Sequence, residues 1–407
     1  MTLDPVRVMF VSHDPTMYGA QQSLLTLLAS IDRSVCTPFL LNPKNGPLGR
    51  KAADLGIPVF VEQLVHWVPG SWVKGSRRGY LKHYFRFFGS LNERCRAIER
   101  LIAKHGIDLV YTNTVTCVEG AIAAKRSGKP HVWHIRESIP GNSELVPLLP
   151  YDLHCAAISA LSESVVFCSR VLANGYPRLS GKANVVYNGF PFPFPPRDRN
   201  AARAEITGKL GIESGSKLVA IVGALHPRKD LHTFLDAAVQ VARGMRDAVF
   251  LIAGAGSEQY TDTVRRRIGE LKLDSKVRLL GWRDDIDEML GAIDVLVISS
   301  EQESFGRTMI EALAMETPVV STRCGGPEEV LTDGETGFLV PVKDPSAMAD
   351  AIGKLLADPR LSRRMGMNGR SHVSASFGID RYVEGIQRVI RKSAGARATS
   401  PGAVAAE

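Results

Sequence analysis

Short apolar runs of strand length alternate with helix-period segments along the whole chain. Residues 6–12 form the first run. In the segment that follows, Leu24, Leu25, Leu27 and Leu28 recur at helical spacing. Further strand-like runs cover 37–42, 58–63, 108–114, 130–137, 153–160 and 183–189, and a helix is predicted over 117–128. The alternation restarts after residue 200. Strands are predicted over 217–225, 248–256, 277–282, 293–300, 318–322 and 337–341. Helices are predicted over 230–244, 258–273, 304–316 and 344–358, and the last amphipathic segment runs from 377 to 392. Such alternation predicts βαβ units and mostly parallel sheets.

Proline cannot donate to a sheet ladder or sit inside a helix. The proline-rich stretch at 190–200 therefore reads as a linker. The expected organisation is an N-terminal domain over 1–190, a linker over 191–200 and a second domain over 201–376. A C-terminal helix over 377–392 packs back on the first domain, and a tail follows over 393–407. The fold class is α/β, with two doubly wound Rossmann-like domains facing a cleft. Ligands of such sheets bind beyond the carboxyl ends of the strands, which puts the site between the domains.

Length and composition agree with this picture. The chain has 407 residues, 44% hydrophobic and 23% charged, which excludes a disordered, collagen-like or disulfide-stapled protein. The six cysteines form no C-x-x-C pair and read as reduced cytosolic thiols. No run is long enough for a membrane span, and the N-terminus lacks a signal-peptide pattern. The net charge of +8 is unevenly placed. Residues 193–407 carry 29 basic and 29 acidic side chains, whereas the window 70–104 alone carries nine basic and two acidic. There Trp72, Tyr80, Tyr84, Phe85, Phe87 and Phe88 interleave with Lys74, Arg77, Arg78, Lys82 and Arg86. This pattern fits an amphipathic helix on an anionic membrane surface, or a packed helix with a solvated basic face. No nucleic-acid recognition motif accompanies it.

The richest motif spans 299–331. A strand ends, a polar loop holds Glu301, Gln302 and Glu303, and Ser304 can N-cap a helix beginning near Phe305. Free N–H groups and the positive dipole end there suit a phosphate, and Gly306 allows an anion close to the backbone. Glu311 falls about two turns into the helix, within reach of a sugar diol. Spacing alone equally fits a capping box with a solvated glutamate. Upstream, Arg228 and Lys229 follow the strand that ends at Gly223, where they can neutralise a diphosphate or form an exposed basic turn. His134, Arg136 and Glu137 end a buried strand. Gly19 precedes a helix, a usual place for a phosphate-facing loop. Gly254 and Gly256 make only a weak nucleotide fingerprint, because Gln259 stands where a third glycine belongs.

Glu303, Ser304, Phe305, Gly306, Glu311, Ala312, Pro318, Val319, Gly325, Gly326 and Glu329 together resemble the signature of the retaining family-4 glycosyltransferases, which have the GT-B fold. The resemblance implies that Glu311 takes the ribose of a nucleotide sugar and Glu303 the transferred sugar. Backbone amides near Phe305 and Gly306 would hold the diphosphate. Gly223, Leu225 and Lys229 also match. Ala224 stands where the family usually carries its diphosphate arginine, leaving Arg228 as the substitute, and Asp230 replaces a glycine. His134 would line the sugar pocket, and Trp282 and Arg283 the nucleobase pocket. The implied catalytic residues are Glu303, His134 and Lys229. The donor-binding set is Gly19, Arg228, Lys229, Trp282, Arg283, Ser304, Phe305, Gly306 and Glu311. Lys74, Arg77, Arg78, Lys82 and Arg86 would form a membrane or acceptor patch.

The implied activity is metal-independent transfer, with retention, from a UDP- or GDP-sugar to an acceptor hydroxyl. No cofactor is implied. The acceptor would be a glycan or a lipid-linked sugar of envelope or exopolysaccharide synthesis. The implied location is cytoplasmic, or peripheral on the inner face of the plasma membrane. The competing readings are a non-catalytic binding protein of the same fold and a nucleotide-sugar epimerase.

Overall fold

The computed structural model describes residues 4–70, 73, 77–192 and 198–395. Lys74, part of the 191–200 linker and most of the expected tail lie outside these residues. The chain divides into two compact units. One comprises Met1–Gly189 and Ile379–Glu407, the other Phe190–Gly378.

Unit 1 holds strands β1 Val6–Val11, β2 Cys36–Asn42, β3 Val59–Val61, β4 Leu109–Thr112, β5 His131–Ile135, β6 Ser164–Phe167 and β7 Ala183–Val185. Its helices are α1 Gly19–Ser30, α2 Pro47–Asp54, α3 Arg77–Lys104, α4 Glu119–Arg126, α5 Tyr151–Leu161 and α6 Arg170–Asn174. The strands form a parallel sheet in the order β3-β2-β1-β4-β5-β6-β7. Side-chain alternation along β1 sends Val8 and Phe10 to one core and Met9 and Val11 to the other. The first core is covered by α1 and α2, the second by α3 and α4. Both faces are thus buried, as a parallel sheet requires.

Unit 2 holds helices and strands in the order α7 Arg199–Leu210, β8 Lys217–Val222, α8 Leu231–Gly244, β9 Ala248–Ala253, α9 Glu258–Glu270, β10 Val277–Gly281, α10 Ile286–Ala292 and β11 Val295–Ile298. Then come α11 Arg307–Ala314, β12 Val319–Thr322, α12 Pro327–Val330, β13 Gly337–Val340, α13 Pro345–Ala357 and α14 Pro359–Ser376. Its sheet is parallel, in the order β10-β9-β8-β11-β12-β13. The last helix, α15 Ile379–Gly395, returns to unit 1, where Tyr382, Val383, Ile386, Val389 and Ile390 complete the first core.

Three sequence expectations change. Residues 153–160, read as a strand, lie within α5, and the neighbouring strand is β6. The helical span there is 11 residues, longer than its short apolar pattern suggested. Helices α2, α6, α7, α10, α12 and α14 were not anticipated. The expected tail begins too early, because Ser393 is buried in α15 and its hydroxyl meets that of Ser164 at 3.0 Å. Its small side chain fits a tight packing site that composition alone reads as a tail.

Candidate functional site

In each sheet the strand order reverses once, between β1 and β4 and between β8 and β11. Such switch points open a crevice at the strands' carboxyl ends. In unit 2 the loops leaving β8 and β11 carry the residues singled out by sequence. The chain leaves β8 through Gly223, at φ +150°. A Cβ built on Gly254 would lie 1.7 Å from the Gly223 carbonyl oxygen, and one on Gly256 2.2 Å from that of Leu225. The weak glycine fingerprint therefore marks two loops pressed together backbone to backbone.

Pro227–Lys229 form a single 3-10 turn ending at Asp230, which adopts φ 43°, ψ 58° and N-caps α8 by accepting from the Thr233 amide. A left-handed position suits glycine, and aspartate tolerates it. That accounts for Asp230 at a position where glycine was expected. Backbone and side-chain bonds then stitch this turn to the loop after β11. The Glu301 amide donates to the Arg228 carbonyl at 2.9 Å, and the Ser299 hydroxyl to the Lys229 carbonyl at 2.6 Å. Lys229 Nζ donates to Glu303 Oε2 at 2.6 Å. Burial pushes the Glu303 carboxyl upward, but Lys229 and then Arg228 outweigh it and hold it below its ordinary value. Arg228 Nε is buried without a hydrogen-bond partner. Two cations and one carboxylate thus share a half-buried pocket, with a guanidinium donor to spare.

Glu303 is fixed by a third loop. Its amide donates to the Cys324 carbonyl at 2.9 Å, and its carbonyl accepts from Gly326 at 2.8 Å. A side chain on Gly326 would meet the Phe305 backbone within 2.4–2.8 Å. This pairing corrects the expected helix start. Ser304 is not the N-cap. Ser304 and Phe305 stay in the loop, and Gly306, at φ 91°, ψ 57°, caps a helix beginning at Arg307. No side chain caps that end. Phe305 is buried and packs edge-on against Phe377.

Glu311 lies one turn into α11, buried, with Arg307 Nε donating to its Oε1 at 2.6 Å. Burial raises its carboxyl above the ordinary value, against the pull of Arg307. Sequence reading missed Arg307, although the i,i+4 spacing to Glu311 announces the pair. Trp282 is half exposed and donates to Asp284 at 3.1 Å. Arg283 does not stand open beside it. Its Nε donates to Asp285 at 2.7 Å, and a second nitrogen bonds the other carboxylate oxygen.

Unit 1 places His134 in β5, fully buried, with Nδ1 2.6 Å from the Tyr111 hydroxyl. Its Nε2 is buried without a partner. Burial holds its pKa well below 6.5, and Arg136 adds to the effect. Arg136 is itself buried, and its direct partners are neutral. It donates to Asn113 Oδ1 and Asn188 Oδ1, each at 2.6 Å, and to the Tyr382 hydroxyl at 2.8 Å. Sequence reading named none of those three acceptors, which lie 23 to 246 positions away. Gly19 is the first residue of α1, and a Cβ there would meet open space.

In α3, His83, Phe87, Arg94, Cys95 and Ile98 turn inward. Arg78, Lys82 and Arg86 are exposed, together with Leu81, Tyr84, Phe85 and Phe88, and Phe85 is 68% exposed. Arg77 begins the helix. The inner side is anchored by a buried ion pair, Arg94 Nε to Glu119 Oε1 at 2.8 Å. Among the described residues no group of three metal-ligating side chains converges, and no helix is long and apolar enough to cross a membrane.

The lipopolysaccharide core biosynthesis glycosyltransferase LpsE of Rhizobium meliloti is 34% identical over 170 residues, 42% of this chain and 48% of that protein. The N-acetyl-alpha-D-glucosaminyl L-malate synthase of Bacillus anthracis is 31% identical over 179 residues, 44% of this chain and 46% of that protein. The chain therefore spans about half the length of the curated relatives it matches. Among solved structures, Anabaena HepE in complex with UDP superposes with a TM-score of 0.76 at 21% identity, over 95% of this chain and 100% of that one. WaaG, a glycosyltransferase involved in lipopolysaccharide biosynthesis, gives 0.67 at 15% identity, over 94% and 99%. These likenesses establish the GT-B fold of two Rossmann-like domains. The stretch 202–372, which contains the whole Arg228–Lys229–Glu303–Glu311 constellation, matches the family Glycosyl transferases group 1.

Proposed function

We propose that the chain is a retaining glycosyltransferase of family 4, which transfers a sugar from a nucleotide diphosphate sugar to an acceptor hydroxyl. The observation that carries this is the meeting of Arg228, Lys229, Glu303 and the uncapped start of α11 at the switch point of unit 2. Breaking a glycosidic bond to a diphosphate develops negative charge on the leaving group. Cations and helix dipoles already in place stabilise that charge without reorganisation. Arg228, whose Nε has no protein partner, takes the place of the arginine that Ala224 lacks. Glu303 holds Lys229 in position and faces the sugar, and Glu311 binds the ribose once Arg307 yields it. The leaving phosphate receives the acceptor's proton on the same face, so no general base and no metal are needed. HepE has been crystallised with UDP-glucose, which favours a UDP-sugar here.

In this reading unit 1 binds a glycan or lipid-linked acceptor of envelope polysaccharide synthesis. His134 then contributes its unpartnered Nε2 to the sugar. The exposed aromatic and cationic side chains of α3 hold the enzyme at an anionic membrane surface on the cytoplasmic side. A patch of exposed aromatics among cations is unusual on a surface without a partner.

The test is a panel of UDP-, GDP- and ADP-sugars, scored for thermal stabilisation and for nucleotide release with and without EDTA. One donor should stabilise the protein and be turned over in EDTA, and Lys229→Met and Glu303→Gln should each lower turnover at least about 10²-fold. Binding without turnover would favour a non-catalytic protein of the same fold. An altered nucleotide sugar formed without acceptor would favour an epimerase. Flotation with anionic liposomes tests α3, and Phe85→Ser should release the protein.

A further inference from the structure

Unit 2 has a second polar cavity, at the opposite end of its sheet from the candidate site. It measures about 500 Å³ and is lined by Arg199, Lys217, Asp294, Glu316, Arg363 and Arg370 among others. Lys217 is the first residue of β8, and Asp294 immediately precedes β11. The loops carrying Lys229 and Glu303 leave the other ends of these strands.

The charges here do not cancel. Four lining side chains are cationic and two anionic. Asp294 is already heavily used. It accepts from Arg203 at 3.0 and 3.2 Å, from Arg199 at 3.5 Å and from the Leu218 amide at 2.7 Å. Arg203 also bonds the Ser216 carbonyl. Two guanidiniums therefore share one carboxylate, and burial lowers the pKa of Arg199 despite that carboxylate. Arg370 donates to the Ala314 carbonyl at 2.9 Å and pairs with Glu316 at 3.9 Å. The surplus of two positive charges equals the charge of a phosphate monoester dianion.

The walls are tightly packed. A Cβ on Gly366 would lie 2.0 Å from the Glu316 carbonyl oxygen, and one on Gly369 2.5 Å from the Leu313 side chain, so α14 is pressed against the turn after α11. Glu316 holds φ 61° in that turn. Leu355, Leu356, Met315 and Pro359 also line it and give it apolar surface. The volume suits a small metabolite, and guanidinium forks suit phosphate oxygens.

We propose that this cavity binds a phosphorylated small molecule of sugar-phosphate size, at a site separate from the donor pocket. The probe is glucose 6-phosphate, titrated calorimetrically into the full chain, with inorganic phosphate as a second arm. The sugar phosphate should bind at least ten-fold tighter than phosphate, because only it reaches the apolar wall. Lys217→Ala combined with Arg363→Ala should weaken it at least ten-fold, while Lys229→Met should leave it unchanged. Arg363 is exposed and Lys217 half-buried, so folding should persist, checked by an unchanged circular dichroism spectrum. Absence of binding, equal affinity for the two probes, or loss on Lys229→Met instead would each overturn the proposal. None of these outcomes depends on whether the chain transfers sugar.

Discussion

Unit 1 buries neutral histidines, and this makes its stability pH-dependent in a calculable way. His131, His134 and His154 are each at most 1% exposed. Burial lowers His131 and His154 to about 3 and His134 well below 6.5. In the unfolded chain each titrates near 6.5, so below that pH the unfolded state binds protons that the folded state refuses. Stability is then fully present above pH 6.5 and falls as pH drops, by about 1.4 kcal/mol per group per unit. Between pH 7.5 and 5.5 each histidine contributes a loss of about 1.4 kcal/mol, roughly 4 kcal/mol for three. The half-buried His13 and His66, both lowered to about 4, add to this. Glu137, raised by burial, opposes it by no more than one proton.

The assay is urea unfolding followed by tryptophan fluorescence. Trp67 and Trp133 are buried in unit 1, whereas Trp282 is exposed, so the signal change reports mainly unit 1. With a slope of about 3 kcal/mol per molar urea, the midpoint should fall by more than about 1 M between pH 7.5 and 5.5. His154→Phe should remove about 1.4 kcal/mol of that fall, because its ring packs 3.9 Å from Trp67 and neither nitrogen has a partner. A midpoint that stays constant or rises as pH drops would refute the reasoning.

Replacing Lys229 by Met leaves the buried Glu303 carboxylate opposed mainly by Arg228. It should lower kcat/KM about 10²- to 10³-fold by the loss of one preorganised cation. Its melting temperature should fall at pH 7.5, and the gap to wild type should narrow below pH 4.5. There the wild type loses the stability of its depressed Glu303 carboxyl, while the variant is relieved by protonation. Gly326→Ala forces a methyl into the Phe305 backbone and should reduce both soluble yield and donor binding, read by expression and calorimetry. Arg94→Met strands the Glu119 carboxylate beneath α3 and should cost about 3–5 kcal/mol in urea unfolding.

What the sequence made legible was local. The apolar alternation along β1 and β8 specifies two parallel sheets, because a strand buried on both faces has few other readings. Lys229, Arg228, Glu303 and Glu311 stood out because each sits at a strand end or a helix start, where chemistry and spacing coincide. The helix boundary at Gly306 did not, because it depends on Glu303 pairing with Gly325, a contact 22 positions away. The cradle of Arg136 was equally hidden, since Asn113, Asn188 and Tyr382 meet only after the sheet forms and α15 returns. Arg283 looked available until its bond to Asp285, two residues on, was seen.

The return of α15 has a consequence for how the protein is made. Because Tyr382, Ile386 and Ile390 finish the core of unit 1, all of unit 2 is an insertion within it. The first 189 residues leave the ribosome with one face of their sheet covered by α1 and α2 but still lacking α15. Unit 2, continuous in sequence, is synthesised whole before the missing helix appears. The part of the chain that is born first is therefore completed last. A chain interrupted between the end of unit 2 and α15 would release an intact second unit and an unfinished first one, with part of its apolar sheet face open to chaperones and proteases.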